Sequence, residues 1–71
     1  MTVWNLVKSP ERLAMEIRGK TRSEAERWLV RYGATEAGAA AAVSVVTGAR
    51  SQTVVGDIVE ISNAIYENCK E

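Results

Sequence analysis

The chain has 71 residues, 46% hydrophobic and 25% charged, and nine Lys or Arg balance nine Asp or Glu. A polypeptide this short buries only about 60% of the surface its unfolded form exposes, so it needs a staple, unusually tight packing or a partner. One cysteine and no histidine exclude an internal disulfide and an ordinary zinc site, and remove the commonest general base of enzymes.

In chain order, TVWNLV at residues 2–7 has strand-like composition and no obvious partner strand, and is predicted to be an extended arm that folds Trp4 and Leu6 onto helices. The first helix is predicted over 10–19, with Ser9 as N-cap, Pro10 at the first helical position and Glu11 favoured by the helix dipole. Leu13, Ala14 and Ile17 form its short apolar stripe, and Gly19 ends it. The second helix, over 22–32, opens on Thr21 and Glu24 in capping-box spacing. Ala25, Trp28, Leu29 and Tyr32 follow at i, i+3, i+4 and i+7, and Gly33 supplies a left-handed stop.

The third helix is predicted over 36–47 with Thr35 as its cap. EAGAAAAVSVV carries almost no polar face between Ala37 and Val46, which predicts a central helix enclosed by its neighbours on most sides. Ala37, Gly38, Ala41 and Ala42 would let those neighbours approach closely. Alanine favours helix, whereas the β-branched run at Val43, Val45, Val46 and Thr47 favours strand, so a hairpin over 43–55 is the rival. The fourth helix is predicted over 54–68, with Thr53 as cap and Val54, Ile58, Ile61 and Ile65 as its core stripe. Val55, Val59 and Tyr66 adjoin that stripe, and Asp57 and Glu60 form the wet edge. The expected fold is therefore an all-α, compact small bundle of about four short helices with an extended N-terminal arm, spanning 1–71 as one domain.

For function, no catalytic, cofactor-binding or metal-binding residue is indicated. Cys69 sits in ENCKE, where flanking acids raise rather than lower a thiol's pKa. The glycines fit neither dinucleotide nor P-loop spacing, and an enzyme is not expected. No apolar run approaches the ~18–20 residues that cross a bilayer. MTVWNLVKSPER lacks the features of a signal peptide, and a lone thiol suits a reducing compartment, so a cytoplasmic location is expected.

Charge is unevenly spread. Residues 1–35 hold Lys8, Arg12, Arg18, Lys20, Arg22, Arg27 and Arg31 against four glutamates; residues 36–71 hold Arg50 and Lys70 against Glu36, Asp57, Glu60, Glu67 and Glu71. Such asymmetry can mark a basic face, draw the two halves together, or dock one copy head-to-tail on another.

Protein interaction is the expected activity: a small regulator or inhibitor, of the size phages and plasmids encode, that binds a larger protein and self-associates as a homodimer. Its interface candidates are Trp4, Val55, Val59, Ile61, Ile65 and Tyr66, aromatic anchors and surplus aliphatic surface. The alternative is a dimeric nucleic-acid-binding regulator using Arg18, Lys20, Arg22, Arg27 and Arg31. Against it, the helix after the Tyr32–Thr35 turn carries nothing that reads a base edge.

Overall fold

Three of the four helix starts are capped by the hydroxyls that the sequence marks. The Ser9 hydroxyl accepts the Arg12 N–H at 3.3 Å, Thr21 accepts that of Glu24 at 3.3 Å, and Thr35 accepts that of Gly38 at 3.0 Å. Each cap satisfies a donor that a helix leaves orphaned. The resulting order is α1 (Pro10–Ile17), α2 (Arg22–Arg31), α3 (Glu36–Val46) and α4 (Ile58–Cys69). The computed structural model describes residues 6–48, 50 and 52–69, so Trp4 and most of the expected arm lie outside the described residues. Helix α2 stops in a Schellman turn: Gly33 at φ 114° donates to Val30 O, and Ala34 donates to Leu29 O.

The start of α4 departs from expectation. Thr53 does not cap it, and the helix begins at Ile58 rather than near Val54. Gly56 turns the chain at φ 106°, and Asp57 becomes the cap, its Oδ1 accepting the Glu60 N–H at 2.9 Å. The reason is long-range. Gly19 N–H donates to Val54 O at 3.1 Å, Val54 N–H to Lys20 O at 2.9 Å, and Arg22 N–H to Gln52 O at 2.8 Å. On the other side, Val55 N–H donates to Val46 O at 2.8 Å and Gly48 N–H to Thr53 O at 3.3 Å. Residues 53–55 are thus held extended between the α1–α2 turn and the end of α3, in antiparallel bridges Thr21–Thr53 and Thr47–Val54. The rival hairpin is present only as this reversal; α3 itself stays helical to Val46.

Helix α3 is the middle layer. It packs most extensively on α4, next on α2, while α1 covers α4 and only touches α2. Gly38 shows why small residues are needed: a Cβ there would sit 2.7 Å from the Asn68 backbone oxygen. The core joins Leu13, Ile17, Leu29, Val43, Val54, Ile61 and Ile65, all essentially inaccessible, with Leu6, Ala25, Ala39 and Ala42 filling between them. Burying each large aliphatic side chain is worth about 1.5–3 kcal/mol relative to leaving it exposed. Enclosure of α3 is less complete than its composition predicts: Gly38, Ala39, Ala42, Val43 and Val46 are buried, but Ala37 is exposed and Val45 is 68% exposed.

Candidate functional site

Because α1 lies on α4 and barely touches α2, the edge between α1 and α2 is closed by long side chains. Trp28 and Tyr32, four residues apart on α2 and its C-cap, stack edge-to-face with centroids 5.6 Å apart. The Trp28 indole N–H donates to Glu16 Oε1 at 2.8 Å, and Lys8 Nζ donates to Glu16 Oε2 at 2.6 Å while standing 4.5 Å from the Tyr32 ring centroid. The Lys8 ammonium, and then the Trp28 N–H, hold the Glu16 carboxyl below its ordinary range. The hydrogen bond to Glu16 in turn raises Lys8. With Val7 N–H donating to Tyr32 O at 3.1 Å, this network fastens residues 7–8 to α2.

Trp28 also faces cations. Lys20 Nζ lies 4.7 Å and Arg31 Cζ 5.8 Å from its ring centroid, both within reach of a cation–π attraction. Lys20, Glu24, Arg27, Trp28, Val30 and Arg31 line a surface groove of about 390 Å³. A second groove of about 530 Å³ runs along the α3 side of the same helix, between Ser23, Glu26, Arg27, Val30, Glu36 and Ala40. Arg27 and the exposed Val30 belong to both, so they form the ridge between them.

Of the five basic candidates, the fold brings three together. Lys20, Arg27 and Arg31 line one groove with Trp28. Arg22 is drawn to Glu26 at 3.1 Å, one helical turn on, and exposed Arg18 lines none of these grooves. Of the interface candidates, Ile61 and Ile65 are fully buried in the chain's own core and offer nothing to a partner, which corrects their assignment. Val55, Val59 and Tyr66 are exposed, at 49%, 67% and 38%. Trp4 lies outside the described residues.

In the sequence Trp28 reads as an interface anchor if exposed, with its place on the α2 stripe favouring the core; it is half-buried, at the border of core and groove. The available signal was the spacing of Glu24, Arg27, Trp28 and Arg31, which share one side of a helix. Asp57 and Glu60 are exposed as expected, with Asp57 capping α4. Cys69 is half-buried, and burial pushes its thiol above the ordinary value, away from nucleophilic chemistry. Among the described residues, no three His, Cys, Asp or Glu side chains converge as metal ligands, and no helix is long and apolar enough to cross a membrane. No protein-family model, curated protein or solved structure matches the chain.

Proposed function

We propose that the chain is a non-enzymatic protein-interaction module, a cytoplasmic regulator or inhibitor, that grips an acidic segment of a larger protein with its α2 face. The observation that carries this is Trp28 with Lys20 and Arg31 over its ring, in one groove with Arg27 and the exposed Val30. Tryptophan and arginine dominate binding hot spots because they join a large apolar area to directed charge. An acidic segment with apolar residues fits that combination: carboxylates meet the three cations, and an aliphatic side chain covers the indole and Val30.

The nucleic-acid alternative draws on the same residues, since an aromatic beside cations can stack a base. The sign of the neighbours weighs against it. Glu24 lines the Trp28 groove, Glu26 and Glu36 line the groove beyond the ridge, and Glu26 engages Arg22. A phosphate backbone carries a charge at every step and brings no aliphatic group to the indole and Val30. An acidic segment can set its carboxylates against the cations and its aliphatic side chains against the indole and Val30.

The test is an NMR titration of the full chain with a short peptide alternating glutamate and leucine, beside a mixed-sequence single-stranded oligonucleotide at matched salt. The expected result is displacement of the Trp28 indole N–H and α2 amide signals by the peptide, lost in the double variant Arg27→Ser, Arg31→Ser. Saturable oligonucleotide binding at the same signals, stronger than that of the peptide, would replace this function with the nucleic-acid one.

A further inference from the structure

We infer that the chain carries a second docking surface, the groove between α3 and α4, and that its occupant is the α2 face of another copy. The inference rests on the reading of the α2 face as a protein-binding surface, and extends it to a self-partner.

The α3–α4 groove, about 420 Å³, is lined by Val45, Val46, Glu60, Asn63, Ala64, Glu67 and Asn68. Its described lining includes the carboxylates of Glu60 and Glu67 and no Lys or Arg, around an exposed valine that α3 leaves uncovered. The α2 groove is its counterpart: three cations and a single carboxylate around Trp28 and the exposed Val30. Each surface thus offers what the other lacks, an apolar centre ringed by charge of opposite sign.

The two surfaces cannot satisfy each other within one molecule. Helix α3 lies between them, packing on both α2 and α4, and α2 and α4 make no contact. A two-fold dimer pairs these surfaces reciprocally only if one partner reaches both at once, and with α3 between them they face different neighbours. A two-fold contact on either surface alone would oppose like charges. The contact is therefore heterologous: the α2 face of one copy enters the α3–α4 groove of the next, whose own α2 face stays open. Small, charge-matched surfaces give weak, salt-sensitive association. A free acidic partner at the α2 face would compete with the second copy, so assembly and partner binding exclude one another.

Sedimentation equilibrium of the full chain over a concentration series, at low and moderate salt, tests this. The expected result is a weight-average mass that rises with concentration without stopping at the dimer, and falls back when salt is raised. Two variants, Arg27→Ser with Arg31→Ser and Val45→Lys with Glu60→Gln, each remain monomeric with unchanged helical circular dichroism. Mixed in equal amounts, they form a 1:1 pair that grows no further, because each supplies the one surface the other has lost. A mass constant at 7.7 kDa for the unaltered chain, a plateau at the dimer, or a mixture that stays monomeric would overturn the inference. Failure here is distinguishable from failure of the α2 reading. The Val45→Lys, Glu60→Gln variant keeps its α2 face, and its binding of the glutamate–leucine peptide reports on that face alone.

Discussion

Two helix contacts in this molecule are built from opposite side chains. Where α3 meets α4, Gly38 and the alanines bring backbones so near that an added Cβ at Gly38 would reach the Asn68 carbonyl oxygen at 2.7 Å. Where α1 meets α2, the helices barely touch, and the edge is closed by Trp28, Tyr32, Lys8 and Glu16, whose far ends reach solvent. Close backbone contact leaves little side chain over for anything but packing. A wide edge closed by long amphipathic groups leaves charged tips and an aromatic flank on the surface, and that is where this chain has material for recognition. On the outer rim of the α3–α4 contact the pattern returns in weaker form, with Val45, Glu60 and Glu67 bordering a groove.

The largest expected effect separates core from surface on α4. Ile61→Ala and Ile65→Ala each remove a fully buried side chain and are expected to cost about 2–5 kcal/mol. Val59→Ala, on a 67% exposed residue, is expected to stay within about 0.5 kcal/mol. Urea unfolding followed by circular dichroism reads the difference, and equal costs at Ile61 and Val59 would erase the division between them.

Next comes the close contact itself. Gly38→Ala gains about 1 kcal/mol of helix propensity but drives a methyl into the Asn68 backbone oxygen, and overpacking of this kind costs about 1–3 kcal/mol. A net loss in urea midpoint is expected; a gain would mean that α3 and α4 are spaced by something other than Gly38.

A smaller gain is expected at the reversal between α3 and α4. Gln52 sits at φ 57°, the left-handed region that disfavours residues with a Cβ. Relief of that strain, partly offset by the greater freedom of unfolded glycine, makes Gln52→Gly stabilising by about 0.5 kcal/mol. Thermal unfolding is the measurement, and a lowered midpoint would refute it.

The wide edge has a pH dependence of its own. Glu16 is held below its ordinary value of 4.5, so its contribution is present above that value and is lost as pH falls through the lowered one. Lys8 is held above 10.5, so its contribution is present below that value and is lost as pH rises through the raised one. The Trp28 indole N–H signal is expected to hold steady between those limits and to move at either end. An indole signal that titrates near neutrality would show that Glu16 is not its acceptor.

The helix caps were readable in the sequence because Ser9, Thr21 and Thr35 bond to donors three residues away. The stops at Gly19 and Gly33 were readable because both take positive φ. The start of α4 was not, since residues 52–55 form backbone bonds with Gly19–Arg22 and Val46–Gly48, and no local pattern encodes pairing across such separations. The two aliphatic stripes of α4 were readable from their spacing, and the error lay in adding Ile61 and Ile65 of the core stripe to the interface. Ile61 and Ile65 lie in the core because α1 and α3 pack against their side of the helix, while Val55 and Val59 stay exposed. Trp28 obeyed the core spacing of α2, and only the slight contact of α1 with α2 left it at the border with a groove.

The central claim is that the charged groups bordering Trp28 on the α2 face are available for recognition, and Arg27 is its sharpest probe. Arg27 is exposed, lines both α2 grooves and makes no ion pair or hydrogen bond among the described residues. Paired measurements on Arg27→Gln, unfolding free energy and affinity for the glutamate–leucine peptide, test the claim directly. An unfolding free energy within about 0.5 kcal/mol of the parent, with affinity at least about tenfold weaker, is the predicted result. Unchanged affinity, or a loss of stability beyond about 1 kcal/mol, would contradict it.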